Sequence, residues 1–497
     1  MHAIPFYPLL ESAIIGYVAL VNAVSFVLML IGYFALKKES DPFSASEIEA
    51  LLKSPLVPSV SILAPAHNEE ATIRDSVRAM LRLRHPKHEV IVVNDGSKDN
   101  TIDALIDEFR LYRSSRVPLG DIPTRRVRGV YESRDPIPLV VIDKENGGKA
   151  DALNCGINYS RHDLFAAVDA DSIIERDALL QISRPFLERE AETMAVGGMV
   201  RVVNDCVIEH GSVLAVRTPR NVLARLQIVE YLRAFLAGRT ALSFFNSLLV
   251  ISGAFGVFRR SVVVAMGGYR RDTVGEDMEL VVRLHRYCRE HKIPCRIAFI
   301  SDSVCWTEVP ESLRVLRRQR VRWQRGCLES ILFHKRLIGN WRFGSVGLLG
   351  VPYFVTCEIL GPLIELIGYL ITCFGLITGS LGASTALLFF GVSALFGFLL
   401  SIGSVLLEEL TICKYPNSAD FLRLAMVALL ENFGYRQITL VWRLQGILQV
   451  VLKKQRSWGE MERRGFQRVR ATAPHSTHAH SEEPTEARKP ESEHQAV

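Results

Sequence analysis

Residues 8–36 are almost continuously apolar, interrupted by Glu11 and Asn22. A run of that length spans a bilayer with some tilt. It is too long for a secretory leader and lacks the basic residue that would precede one. Lys37 and Lys38 follow at once and place the downstream side in the cytoplasm, with the N-terminus outside. Residues 39–58 read as a polar linker. From Ser59 the pattern changes to short β-branched runs, at 59–65, 89–95, 138–143 and 164–169, alternating with helical periodicity at 69–83, 100–111 and 148–159. Such alternation predicts an α/β domain with a mainly parallel sheet, covered by helices on both faces. The stretch 112–136 is rich in arginine, lacks clear periodicity and reads as a solvated loop.

Residues 312–338 predict a basic amphipathic helix. Leu313, Leu316, Trp323, Cys327 and Ile331 form its apolar stripe, and Arg314, Arg317, Arg318 and Arg325 lie opposite. A helix of this kind is expected in the membrane interface. Apolar segments near 345–378 and 384–407 predict two further crossings, separated by a Gly/Ser-rich turn. Residues 421–452 are apolar but broken by Arg423, Glu431, Arg436 and Arg443. Interfacial helices, a re-entrant hairpin and further spans all fit that pattern. Basic residues from 453 to 470 favour a cytoplasmic end, and the Pro-, Ser-, Glu- and His-rich stretch 471–497 is expected to be disordered.

The formal charge of +6 changes this picture little, because it averages over apolar and arginine-rich blocks. Nine cysteines show no C-x-x-C pair, which argues against a zinc or redox centre.

The candidate chemistry lies where strands end, the edge at which such sheets bind ligands. His67, Asn68 and Glu69 follow the first predicted strand and Asp95 the second; Asp169 and Asp171 follow the fourth. Side chains two apart on a strand point the same way, so Asp169 and Asp171 can converge on a hard divalent cation. Alone, that pair is more often a turn or a cap. Asp95 either accepts hydrogen bonds from a base or ribose or makes a turn with Gly96. Lys149 opens a helix where a cation opposes the dipole. A salt bridge to Asp151 or Glu145 would explain it, but a bound diphosphate fits better. Glu276 and Asp277 begin another helix, where capping is the stronger local reading and a general base the alternative. Helical spacing puts Gln319, Arg322 and Trp323 on one face, joining an amide, a guanidinium and an indole.

Together these motifs resemble the processive, membrane-embedded inverting glycosyltransferases of family 2, such as the synthases of poly-N-acetylglucosamine, chitin, cellulose and hyaluronan. They are Pro65-Ala-His67-Asn68-Glu69, Asn94-Asp95-Gly96-Ser97, Gly148-Lys149, Asp169-Ala-Asp171, Ser252-Gly253-Ala254, Gly275-Glu276-Asp277 and Gln319-x-x-Arg322-Trp323. The resemblance implies a GT-A (Rossmann-like) catalytic domain at 59–311, with an N-terminal span at 1–38 and an interface helix at 312–342. A transmembrane and interfacial region at 343–452 would precede the tail at 453–497. It implies that His67, Glu69 and Asp95 hold the uridine of a UDP-sugar, UDP-N-acetylglucosamine being favoured. Lys149 and Asp169 would sit near the diphosphate, with Asp171 and Asp169 on Mg2+ or Mn2+. Asp277, beside Glu276, would be the base. Gln319, Arg322, Trp323, Ser252 and Gly253 would serve the acceptor and the leaving diphosphate. The implied partners are the UDP-sugar, a growing glycan, the lipid bilayer and export proteins of the envelope, with no nucleic acid. The implied location is the inner (plasma) membrane, crossed several times, with the catalytic domain cytoplasmic. Departures are the single N-terminal span, a C-terminal region short for a wide channel of its own, and no appended cyclic-dinucleotide-binding domain. Two rival functions are transfer of one sugar to a lipid carrier, which would use the same metal site, and a catalytically inactive nucleotide-sugar-binding membrane subunit, against which the metal pair, base and platform residues together argue.

Overall fold

The computed structural model describes residues 6–39, 45–209, 211–379, 381–415 and 417–454. The predicted disordered tail at 471–497 and most of the basic stretch before it lie outside the described residues.

Twelve strands form in chain order: β1 (Val60–Ala66), β2 (His88–Asp95), β3 (Leu111–Arg113), β4 (Val127–Ser133), β5 (Leu139–Lys144), β6 (Leu164–Val168), β7 (Ile173–Ile174), β8 (Thr193–Val202), β9 (Val207–Glu209), β10 (Ser212–Ala215), β11 (Phe255–Arg259) and β12 (Arg296–Thr307). Ten of them make one sheet, ordered β3-β4-β5-β2-β1-β6-β11-β8-β12-β7, and β9 and β10 make a separate hairpin. The neighbours β5, β2, β1 and β6 run parallel. They were predicted as buried strands because all are apolar on both faces, as sheets covered on both sides require. The sheet is mixed rather than mainly parallel, since β11 runs antiparallel between β6 and β8. It stays α/β in class, with the GT-A-like arrangement the resemblance implied.

Two expectations fail locally. The stretch 112–136 is a loop over 114–126 but not throughout, because its second half supplies β4, which pairs antiparallel with β5 and carries β3 on its outer edge. Two of its arginines are tied down by carboxylates: the Arg116 side chain is buried against Glu89 at 2.8 Å, and Arg128 meets Asp143 at 2.8 Å. Within 39–58, residues Ala45–Lys53 form a helix.

Three helices among the described residues are long and apolar enough to cross a membrane: Ser12–Lys38, Val346–Thr378 and Phe390–Thr411. The broken stretch 421–452 becomes two helices, Ser418–Leu430 and Arg436–Val451, joined by a kinked turn at Glu431–Tyr435. The charges that interrupt its apolar pattern are the ones that dock it. Glu431 meets Arg233 at 2.7 Å, Arg436 meets Glu365 at 3.2 Å and Arg443 meets Glu358 at 2.8 Å. Arg423 pairs within its own helix with Asp420 at 2.9 Å, and Asp420 accepts from Thr218 Oγ1 at 2.6 Å. Glu358 and Glu365 belong to the Val346–Thr378 span, where an unpaired carboxylate would be costly.

The basic helix forms at Leu313–Phe333 but is not a simple interfacial one. It packs between helix Glu276–Glu290 and helix Arg436–Val451. Leu313 and Trp323, expected on the buried stripe, are exposed, whereas Arg320 and Arg325 are buried. Glu230 at 2.8 Å from Arg320 and Glu329 at 3.0 Å from Arg325 make that burial tolerable.

Candidate active site

Two clusters stand at the carboxyl edge of the parallel strands. The first surrounds Asp95 at the end of β2. Lys144, fully buried at the end of β5, donates to Asp95 Oδ1 at 2.5 Å, and the amides of Gly147 and Gly148 donate to its two oxygens at 3.0 and 2.7 Å. Lys144 also pairs with Asp151 at 2.8 Å. The Asp95 carboxylate therefore holds the 145–148 loop in place rather than facing outward alone. Asp151 is likewise not the partner of Lys149. His67 is exposed and turns Nδ1 to the Asp95 carbonyl oxygen at 2.9 Å.

Helix Ile73–Leu81 starts later than predicted because the residues before it bond to the β2 loop. The Asn68 amide donates to Ser97 Oγ at 3.0 Å and the Glu69 amide to Thr101 Oγ1 at 2.9 Å. Asn68 adopts φ +57, a left-handed conformation that asparagine tolerates. The Glu69 carboxylate accepts from Thr72 Oγ1 at 3.1 Å.

The second cluster follows directly, since Gly148 precedes Lys149. Lys149 Nζ bonds Asp169, just past β6, and the Gly253 carbonyl at 3.3 Å. The Gly253 amide in turn donates to Asp277 Oδ2 at 3.3 Å. Gly253 thus links the lysine, through its carbonyl, to the candidate base, through its amide. A Cβ at Gly253 would stand 3.0 Å from Lys149 Nζ and 3.6 Å from Asp277 Oδ2, so a side chain there would press on the lysine and only touch the carboxylate. The N-cap of this helix is Gly275, and Asp277, in its first turn, accepts from the Met278 amide at 2.8 Å through Oδ1, leaving Oδ2 toward Gly253.

Electrostatics mark two carboxyls. Burial, then the charge of Asp169, pushes Asp171 up to about 7. Burial, then Asp277, pushes Glu276 up to about 7 as well, against the opposing pull of Lys149 and Arg322. Both carboxyls are held in a state that an added positive charge would relieve.

Lys149, Asp169, Asp171, Ser252, Gly253, Glu276, Asp277, Gln319, Arg322 and Trp323 all line one cavity of about 1880 Å³. His67, Glu69 and Asp95 do not line it and are joined to it only through the 145–148 loop. The Gln319 carbonyl oxygen is buried without a hydrogen-bond partner among the described residues. The cavity continues between the apolar helices, reaching Tyr17, Asn22, Glu358, Glu365 and Tyr369. Among the described residues no group of three or more His, Cys, Asp or Glu side chains is arranged to hold a metal ion.

Sequence reasoning missed Lys144, Tyr231 and Glu230. A lysine ending the apolar run Leu139–Ile142 was a visible signal; Tyr231, whose ring centroid lies 6.4 Å from that of Trp323, had none.

The sequence matches two family models, described as Glycosyl transferase family 2 over residues 61–118 and Glycosyltransferase like family 2 over residues 124–326. The chain is a family 2 glycosyltransferase. Within that family it is 29% identical over 274 residues to the poly-β-1,6-N-acetyl-D-glucosamine synthase of Staphylococcus aureus (strain COL), covering 55% of each chain. It is 28% identical over 303 residues to the synthase of the same name from Staphylococcus epidermidis, covering 60% of this chain and 61% of the relative. The matched region thus spans little more than half the length of these relatives. Among solved structures, a mannosyltransferase from Pyrobaculum calidifontis in complex with GDP-mannose and Mn2+ is 17% identical. It overlaps 88% of this chain and 100% of its own, with a TM-score of 0.45. The family assignment rests on the sequence models, not on this superposition.

Proposed function

We infer that the chain extends a β-linked glycan from a UDP-sugar, UDP-N-acetylglucosamine first among candidates, at the cytoplasmic face of the plasma membrane. One observation carries the reading. Asp169, Lys149, Gly253 and Asp277 are bonded in series on the wall of a cavity that also holds Gln319, Arg322 and Trp323 and runs on between the apolar helices. The synthases it resembles supply the sugar.

Asp277 takes the proton of the acceptor hydroxyl as its oxygen attacks the anomeric carbon. The bond to the diphosphate breaks on the opposite side, so an α-linked donor yields a β-glycoside. Arg322 and Lys149 offset the charge gathering on the departing UDP. Gln319 and Trp323 hold the acceptor sugar, with Ser252 and Gly253 beside it, and Glu276 supports the base. His67, Glu69 and Asp95 form the nucleoside end, Asp95 by fixing the 145–148 loop.

Asp171 and Asp169 suit Mg2+ or Mn2+, because both are hard oxygen donors and a cation beside them would offset the burial and the Asp169 charge that raise the Asp171 carboxyl. The ion supplies positive charge to the diphosphate.

Membranes containing the chain, offered radiolabelled UDP-sugars in turn, test the donor. UDP-N-acetylglucosamine should be incorporated, and chelation with EDTA should stop it. Incorporation of a different sugar alone would overturn the donor assignment. Undiminished activity in EDTA would overturn the metal.

A further inference from the structure

A cation that the reaction above leaves unused stands in the same cavity. Arg239 is only 7% exposed and lines the cavity wall. Its guanidinium lies 3.8 Å over the Phe235 ring, and it makes no hydrogen bond or ion pair with any described residue. Other buried arginines are not left so: Arg201 meets Glu408 at 3.0 Å, Arg320 meets Glu230 at 2.8 Å and Arg325 meets Glu329 at 3.0 Å. Burial pushes Arg239 down to about 10, opposed by the charge of Asp277, so it stays charged at neutral pH. A largely buried cation that faces a cavity with no anion or acceptor bonded to it is a cost that a structure rarely carries for no purpose.

The backbone beneath it is also unusual. Leu232–Arg239 is a π-helix, a form that gathers at functional sites. It is braced by the first apolar span, where a Cβ at Gly32 would lie 2.9 Å from the Ala237 carbonyl oxygen.

The neighbours identify the ligand. The Phe235 ring lies 4.4 Å from that of Tyr231, which lies 6.4 Å from Trp323, giving three aromatic rings in sequence along the wall. Guanidinium groups donate only, so the partner must bring acceptor oxygens. A sugar ring has an apolar face for the aromatics and oxygens for the arginine. The carboxylate whose charge Arg239 senses is Asp277, where the acceptor hydroxyl enters, and not Asp171 at the diphosphate end.

We propose that Arg239 binds the acceptor sugar through its hydroxyl or N-acyl oxygens, with Phe235 and Tyr231 extending the platform begun by Trp323. This rests on the glycan-extending reading above. The test uses the full chain in nanodiscs, as wild type, Arg239→Met and Arg239→Lys. A β-linked N-acetylglucosamine oligosaccharide is titrated without donor and followed by tryptophan fluorescence. The KM for UDP-N-acetylglucosamine and the melting temperature are then measured on the same samples.

Arg239→Met should weaken oligosaccharide binding about ten- to hundred-fold, the loss of one or two hydrogen bonds to a charged group. Arg239→Lys should lose less. Donor KM should stay within about two-fold. The melting temperature of Arg239→Met should match or exceed wild type, because a buried unpaired charge is gone; a merely structural role predicts a fall. Unchanged oligosaccharide affinity, an equal rise in donor KM, or a wild type that binds no oligosaccharide would overturn the proposal. Arg239-dependent binding by a wild type that never turns over UDP-sugar would leave it standing and sink the glycan-extending reading instead.

Discussion

Glu276 carries the clearest pH signature in the site. Its carboxyl rises from 4.5 to about 7 on folding, through burial and the charge of Asp277. A group raised in this way stabilises the fold fully below its unfolded value and loses that contribution as pH climbs through the folded one. Glu276→Gln should therefore show a melting temperature that gains on wild type between about pH 5 and pH 8. A constant gap would mean that Glu276 is ionised throughout. Asp277→Asn tests the base: transfer should fall about 10²- to 10⁴-fold with donor affinity retained. At Lys144 the prediction concerns stability. Lys144→Met removes the buried cation that Asp95 and Asp151 share, leaving Asp95 to the Gly147 and Gly148 amides and Asp151 to Arg271 at 2.9 Å, and should cost about 3 kcal/mol in denaturant melts. These residues also show where reading the sequence stops. The position of Asp95 at a strand end was legible, but which cation its oxygens would meet was not. Lys144 lies forty-nine residues away, and parallel pairing of β2 with β5 brings the two together.

Between elements, the contact that aligns the site is glycine on glycine. A Cβ at Gly326 would lie 2.7 Å from the Gly275 Cα, and one at Gly275 would lie 2.7 Å from the Gly326 Cα. Backbone stands on both sides, so neither helix can give way locally. Glu329 reinforces the junction by accepting from Thr273 Oγ1 at 2.9 Å and the Val274 amide at 3.2 Å. The base-bearing helix and the helix carrying Gln319, Arg322 and Trp323 are thereby fixed to each other. Gly326→Ala should force them apart, costing about 1–3 kcal/mol and most of the activity while helical content is kept; full activity would show that the contact does not set the geometry. Period-two and period-3.6 patterns revealed β1, β2, β5, β6 and the helices between them. They hid β4, whose Val127–Ser133 run mixes arginine, glycine and glutamate on an edge of the sheet. They also hid the burial of Arg320 and Arg325, because an amphipathic stripe assumes one apolar neighbour whereas this helix has partners on two sides.

Across the whole molecule, acid should be the weak side. Burial, then His88, pushes His85 down to about 3, and burial pushes His285 down to about 4. His285 donates Nε2–H to the Leu248 carbonyl at 2.9 Å. Groups lowered on folding lend stability above their unfolded value of 6.5 and lose it as pH falls through the folded one. In a Glu276→Gln, Asp171→Asn background, where the two carboxyls raised to about 7 no longer oppose the histidines, melting temperature should be level above about pH 7 and drop steadily below about 6.5; a level profile down to about pH 4 would contradict the buried, neutral histidines. The three apolar spans were readable from length alone, whereas 421–452 was not. Its arginines and glutamate looked like defects until their partners on other helices were known. The central claim joins these levels: one cavity leads from paired carboxylates to the gap between the spans, so the chain should build polymer rather than add one sugar. Purified chain in nanodiscs, given radiolabelled UDP-N-acetylglucosamine with Mg2+ or Mn2+, should yield a ladder of long β-linked products on a gel, absent in Asp277→Asn. A single band of one sugar on a lipid, or nucleotide binding without any product, would contradict it.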